Sequence, residues 1–326
     1  MAADLFALSD LCTPWCLHVV VTLRVAEHIA AGKNRIAELG AAAGADPGSL
    51  MRVIRHLIGK GIFEEPAAGE FALNDTARGL MEGPARLGFD LEGIGGRMAY
   101  TWSTLLHAVR TGRPAFDEVF GRPFWEDLDA NPQIAESFDA LMGVVGHGTP
   151  DPEVLLDPAD WAGVRTVVDI GGGTGALLAE VLRKRPHLRG TLVDLPRVVR
   201  RSAEVFEAAG VADRVEAVGQ SFFDALPSGK DIYMMKNVLG DWPDAEAKIL
   251  LHRCAEAAGP NGRVVMLGGV TPEEKASPEL LMLVLVGGKN RTLAEFRELA
   301  ASAGLEVRGS GRSPSGRFVV ELNANN

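Results

Sequence analysis

The residues of this chain best placed to do chemistry are a carboxylate and the glycines that follow it. Val167-Val168-Asp169-Ile170 runs as an apolar strand into Gly171-Gly172-Gly173-Thr174-Gly175, and a helix from Ala176 to Arg185 follows. Glycine leaves room for a ligand to approach the backbone closely at the carboxyl end of a strand. A second strand, Gly190-Thr191-Leu192-Val193, ends in Asp194, twenty-three residues after Gly171. A carboxylate there is placed to accept hydrogen bonds from ribose hydroxyls. The pattern points to a cofactor that carries a nucleoside.

These residues need strand ends to hold them, and the second half of the chain supplies them. From about residue 160, strands and helices alternate: strand 165–170, helix, strand 190–194, helix 197–209, strand 214–218 and strand 231–238. Helix 244–258, strand 262–267, helix 293–303 and two terminal strands near 305–308 and 317–322 complete the series. Such alternation predicts an open, mostly parallel α/β sheet with helices on both faces, which binds ligands at the strands' carboxyl ends. The sheet is expected to close with a strand pair rather than another crossover.

The first 150 residues read differently. Leu11–Ala31 is an apolar helix or helix pair with a bend near Pro14, too apolar to face solvent alone and expected to pack on another subunit. A short helix over 36–43 precedes Asp46, an N-cap with Pro47 at the first helical position. Leu50, Val53, Ile54, Leu57 and Ile58 then share one helical face. Residues 62–64 and 70–73 flank a Pro-Gly turn and read as a hairpin. Helix, helix, hairpin is a winged-helix signature. Residues 83–150 read as further helices able to roof a cavity, and the polar stretch 151–159 as a connection. The expected domains are a winged-helix unit over 1–82, a helical pocket-forming linker over 83–158 and a cofactor domain over 159–326.

Bulk properties narrow the partners. The net charge of −10 argues against nucleic acid or an anionic membrane, since both need a basic field. The winged helix therefore reads as structural rather than DNA-binding. No apolar run is long enough for a membrane span and no signal peptide is evident, so the cytoplasm is the expected compartment. Of three cysteines, Cys12 and Cys16 lie one helical turn apart in an apolar segment and read as buried thiols, not metal ligands. No metal site is expected.

The acidic residue before the glycines selects among nucleoside cofactors. A carboxylate there would repel a pyrophosphate but suits a cationic amino-acid moiety. With the glycine domain second and a terminal strand pair, the pattern favours S-adenosylmethionine over NAD. The chain resembles the small-molecule O-methyltransferases, which include plant caffeate-type enzymes and bacterial enzymes that tailor aromatic polyketides. The resemblance runs through 111–116 (Thr-Gly-Arg-Pro-Ala-Phe), 121–128 (Gly-Arg-Pro-Phe-Trp-Glu-Asp-Leu), 137–142, the glycine turn, 192–196 (Leu-Val-Asp-Leu-Pro) and Gly287-Gly288-Lys289. It covers nearly the whole chain.

The resemblance implies a Rossmann-like domain with a mostly parallel seven-stranded sheet, preceded by a helical winged-helix domain through which the chain forms a homodimer. It implies cofactor contacts at Asp169, Gly171, Gly173, Asp194, Leu195, Ser221, Phe222 and Lys236. Asp194 would hold the ribose, and Ser221 and Phe222 would flank the adenine. The implied substrate is a small aromatic natural product, met by Trp125, Phe138, Met142, Asn237, Met282 and Asn290.

One part of the family pattern is missing. Its well-known members use a His in Leu-His-Asp-Trp to deprotonate the substrate hydroxyl, with two Glu residues orienting that His. Here the segment reads Leu239-Gly240-Asp241-Trp242. The first Glu position is Gly268 and the second is Asn290, while the family's adenine-binding Asp is replaced by Ser221. Losing three residues that act as a unit suggests that the unit is not used. Methyl transfer by proximity is one outcome, with Asp241 or the loop residue His147 as candidate bases. A non-methylating reaction in the same pocket is a second. An inactive partner or a ligand-sensing winged-helix regulator is a third.

Overall fold

The computed structural model describes residues 4–325, which divide into two compact units. The first comprises residues up to Tyr100 together with Asn131–Gly146; the second comprises Thr101–Ala130 and the chain from His147 onward. Residues 83–158, expected as one linker, are thus shared between the two.

The first unit has the anticipated helix–helix–hairpin order. Helix Ile36–Ala43 ends at Gly44, and helix Pro47–Ile58 begins at Asp46, whose side chain accepts the Ser49 amide at 2.8 Å. Strands β1 (Glu64–Ala67) and β2 (Glu70–Ala72) pair antiparallel. Leu39, Ile54, Leu57, Phe63 and Phe71 are buried in a common core. The expected bend at Pro14 is not where the N-terminal helix breaks. Helices Cys12–Thr22 and Val25–Ala30 meet at Arg24, whose φ is 56°. Pro14 sits in the first turn, where a missing N–H costs nothing. The two N-terminal thiols are not buried as expected: Cys12 is exposed and Cys16 half-buried. Only Cys254 is buried, and burial pushes its thiol up to about 12.

The second unit is built on a seven-stranded sheet. Its first five strands are β3 (Thr166–Ile170), β4 (Arg189–Asp194), β5 (Val215–Gly219), β6 (Ile232–Lys236) and β7 (Arg263–Leu267). A short parallel pair, β8 (Val270–Thr271) with β9 (Arg291–Thr292), stands apart from it. The last two strands are β10 (Leu305–Arg312) and β11 (Phe318–Ala324). The order is β10-β11-β7-β6-β3-β4-β5, with the first five parallel and the closing pair antiparallel. Successive residues of β3 feed opposite faces: Val167 packs with Leu178, Leu182 and Met234, while Val168 packs with Tyr233, Leu250 and Met266. Both faces are therefore covered, as continuous apolar strands require. The expected helix 197–209 is two pieces, Pro196–Val199 and Ser202–Ala208.

The chain leaves β3 toward β4 and β5 on one side and returns to β6 and β7 on the other. That reversal opens a crevice between the carboxyl ends of β3 and β6, where open α/β sheets hold their ligands.

Candidate active site

The crevice is edged by the residues singled out at the start. Gly171, with φ of 64°, follows β3, and a Cβ there would lie 2.7 Å from the Val238 side chain and 3.4 Å from Phe222. A Cβ on Gly172 would lie 2.5 Å from the Asp169 carboxylate. Gly171 and Gly172 are thus demanded by the protein's own packing. Gly173 faces open space.

Asp169 is 1% exposed, and neither of its oxygens has a hydrogen-bond partner of normal geometry among the described residues. Burial, and then the negative charge of Asp194, push its pKa up to about 7; Lys236 and the Leu178 amide act weakly in the opposite sense. A buried, unpartnered carboxyl is costly to maintain.

Asp194 stands beside it and is held by backbone amides. Gly173 donates to Oδ2 at 2.8 Å and Leu195 to Oδ1 at 2.7 Å. Ser221 uses its hydroxyl to accept the Phe223 amide at 3.2 Å, shaping the turn that sets Phe222 against Gly171. Lys236 ends β6, half-buried, and desolvation lowers its pKa.

Two loops face each other on the β6–β7 side of the crevice: Leu239–Trp242, and Gly287–Asn290 leading into β9. Arg291 joins them. Its guanidinium is 1% exposed and donates to the Leu239 carbonyl at 3.2 Å, the Trp242 carbonyl at 2.9 Å and Asp244 at 2.9 Å. Gly288 lets the loops touch, since a Cβ there would strike the Gly240 carbonyl. Met282, on helix Leu280–Leu285, turns its carbonyl to the amides of Gly287 at 2.9 Å and Gly288 at 3.3 Å. The carboxyl of Asp241, in the first loop, makes no hydrogen bond or ion pair among the described residues, and burial alone pushes its pKa up to about 7.

Aromatic side chains link this loop to the helices over 116–130. Phe116 contacts Phe124 at a centroid distance of 5.3 Å, and Phe124 contacts Trp125 at 4.9 Å. Trp125 stacks on Trp242 at 5.8 Å, and Trp242 meets Phe222 edge-on at 5.9 Å. The relay ends at the glycine turn. Of the other expected substrate contacts, Phe138 and Met142 lie on helix Pro132–Met142 of the first unit. His147 ends the short helix Val144–His147 and makes no hydrogen bond among the described residues, so nothing orients it as a base.

The O-methyltransferase domain family matches residues 102–306. The chain belongs to this family. It is 42% identical over 307 residues to the 2,7-dihydroxy-5-methyl-1-naphthoate 7-O-methyltransferase of Streptomyces carzinostaticus, covering 93% of this chain and 92% of that protein. It is 38% identical over 315 residues to aclacinomycin 10-hydroxylase of Streptomyces purpurascens, covering 92% and 83%. Its fold matches the crystal structure of an O-methyltransferase from neocarzinostatin biosynthesis in complex with S-adenosylmethionine and 2-hydroxy-5-methyl naphthoic acid. That match has a TM-score of 0.90, 40% identity and 99% coverage of both chains.

Within this O-methyltransferase fold, the absence of the His–Glu–Glu set has a steric counterpart. Asn237, held in the left-handed region with φ of 56°, places Oδ1 where a Cβ on Gly268 would go, and Gly268 itself has φ of 86°. A glutamate cannot return to 268 while Asn237 keeps this conformation. A Cβ at 240 is tight but feasible, with Asn290 Oδ1 at 3.2 Å and Gly269 Cα at 3.6 Å.

Sequence reasoning missed two members of the site. Arg291 adjoins the quoted Gly-Gly-Lys motif, but nothing local shows that its charge is buried. Trp242 ends the Leu239-Gly240-Asp241-Trp242 segment, and its stacking on Trp125 joins residues far apart in sequence.

The two glycines respond differently to restoration of the family residues. Gly240→His is expected to keep cofactor affinity within about threefold. Gly268→Glu combines overpacking with a left-handed backbone and is expected to lose about 2–4 kcal/mol in urea unfolding. Equal midpoints for wild type and Gly268→Glu would contradict this packing.

Proposed function

We propose that the chain is an S-adenosylmethionine-dependent O-methyltransferase acting on a hydroxyl of a small, fused-ring aromatic natural product, without a histidine base. Asp169 carries the reading: a buried carboxyl without a well-formed hydrogen bond from the protein, beside a glycine turn, fits the ammonium of a methionine moiety. Asp194 would take the ribose hydroxyls, and Phe222 and Ser221 would border the adenine. When bound, the cofactor supplies an electrophilic methyl on a sulfonium. The protein's part is to hold a flat acceptor against the Trp125–Trp242 wall, close off water and orient the hydroxyl. Positioning of this kind supplies roughly 7–11 kcal/mol of a barrier.

Asp241 is the carboxylate available to draw off the proton. It acts as a base only when ionised, so turnover rises with pH through about 7 and levels off above it. The test is incubation with S-adenosylmethionine and a panel of hydroxynaphthoic acids. Formation of S-adenosylhomocysteine and a methyl ether is expected, and Asp241→Asn should lower kcat about a hundredfold and remove the inflection. A second reading, a non-methylating reaction in the same pocket, is favoured by the missing His–Glu–Glu set together with the similarity to a hydroxylase. Substrate conversion with the cofactor unchanged would establish that reading and sink the first.

Cofactor capture should move a proton. Below pH 7 the free protein holds Asp169 protonated, because its pKa is raised; an ammonium placed against it favours the carboxylate. Binding at pH 6 is therefore expected to release close to one proton more in wild type than in Asp169→Asn, with the difference vanishing by about pH 8. Calorimetry in two buffers of different ionisation enthalpy measures this, and identical proton release by both proteins at pH 6 would refute the pairing.

The chain is proposed to work as a cytoplasmic homodimer through its first unit. Leu5, Leu8 and Leu11 are 77%, 75% and 74% exposed, an apolar row that suits a second copy. No helix among the described residues is long and apolar enough to cross a membrane. Light scattering should give twice the chain mass, and Leu5→Glu with Leu8→Glu should give the monomer. A wild-type monomer at micromolar concentration would rule the dimer out.

A further inference from the structure

The position of the family's second glutamate, Asn290, is not merely vacated. Its side-chain Nδ2 donates to Glu279 Oε1 at 3.0 Å. Glu279 precedes helix Leu280–Leu285 with φ of 41°, a left-handed backbone that side-chain-bearing residues adopt only when their surroundings impose it. An amide can ordinarily be turned either way round, but an ionised carboxylate only accepts hydrogen bonds, so the amide nitrogen must face Glu279. The orientation of Asn290 is thereby decided, and its oxygen is left over.

That oxygen has no partner among the described residues. It lies 3.2 Å from where a Cβ at position 240 would stand, the place from which a histidine would project in the family's usual arrangement. At the place of the family's histidine the site offers a fixed amide oxygen, which accepts a hydrogen bond and is too weakly basic to remove a proton; that task is left to Asp241.

We propose that Glu279 locks Asn290 with its oxygen toward the space beside Gly240, where it accepts a hydrogen bond from a neutral hydroxyl of the aromatic substrate. Glu279 is thus a positioning residue and Asn290 the specificity contact. The pair selects compounds that carry a free hydroxyl at this place and rejects the same compound once that hydroxyl is blocked. The inference rests on the aromatic-hydroxyl reading given above.

The experiment compares dissociation constants of a dihydroxynaphthoic acid and each of its mono-methyl ethers. Binding is followed by tryptophan fluorescence on the full chain saturated with S-adenosylhomocysteine. For wild type, blocking one particular hydroxyl should weaken binding about tenfold, while blocking the other should matter less. In Glu279→Gln, whose amide allows Asn290 to turn either way, that ratio should fall at least threefold. In Asn290→Leu it should approach one. S-adenosylhomocysteine affinity checks that each variant is folded, and Asn290→Leu carries the test alone if Glu279→Gln does not fold. An undiminished ratio in a folded variant, or equal affinities for all probes in wild type, overturns the lock. Turnover measured separately with S-adenosylmethionine distinguishes the two levels. Methyl transfer with an unchanged ratio removes only the inference; failure of every naphthoic probe to bind removes the inference and the reading beneath it.

Discussion

A single buried guanidinium organises the catalytic side of this protein. Arg291 has no access to water, yet its charge is neutralised by an Asp244 that is 56% exposed, so it draws on backbone carbonyls for the rest of its hydrogen bonds. Those carbonyls belong to Leu239 and Trp242, at either end of the loop that holds Gly240 and Asp241. Satisfying the arginine therefore fixes the loop, and fixing the loop fixes the edge of the pocket. A surface ion pair would contribute little; a desolvated arginine with several acceptors cannot release one of them cheaply.

The opposite side of the crevice follows the reverse logic. There a carboxyl is buried without a well-formed hydrogen bond, and burial pushes its pKa up to about 7. Asp169 is walled in by Gly172, whose missing Cβ makes the space, and by the apolar ends of β3 and β4. The same desolvation that raises its pKa is what the proposed ammonium would offset, by returning an interaction that folding removed. The protein keeps a costly group at one place and spreads the compensation over a sheet packed on both faces.

Between them, the departures from the family's base arrangement form one coherent packing solution. Asn237 occupies the space of a side chain at 268, and Gly288 lets the Gly240 carbonyl come close. Asn290 is turned by Glu279 rather than by a histidine. A side chain restored at 268 meets Asn237 already in its space, whereas a Cβ at 240 can be accommodated.

Much of this was legible in the chain. Continuous apolar runs alternating with helices, the glycine turn and Asp194 determined the parallel sheet, the crevice and the cofactor side, because these depend on short-range patterning and on dihedrals that few residues adopt. Asp46 with Pro47 likewise announced its helix from local capping alone. The break at Arg24 in place of Pro14 was not legible, since a proline in the first turn disturbs nothing. The burial of Arg291, the stacking of Trp125 on Trp242 and the pairing of Glu279 with Asn290 were decided by tertiary structure. Each joins segments brought together only when the sheet forms, and each depends on desolvation, which a residue acquires from its neighbours in space and not from its neighbours in sequence.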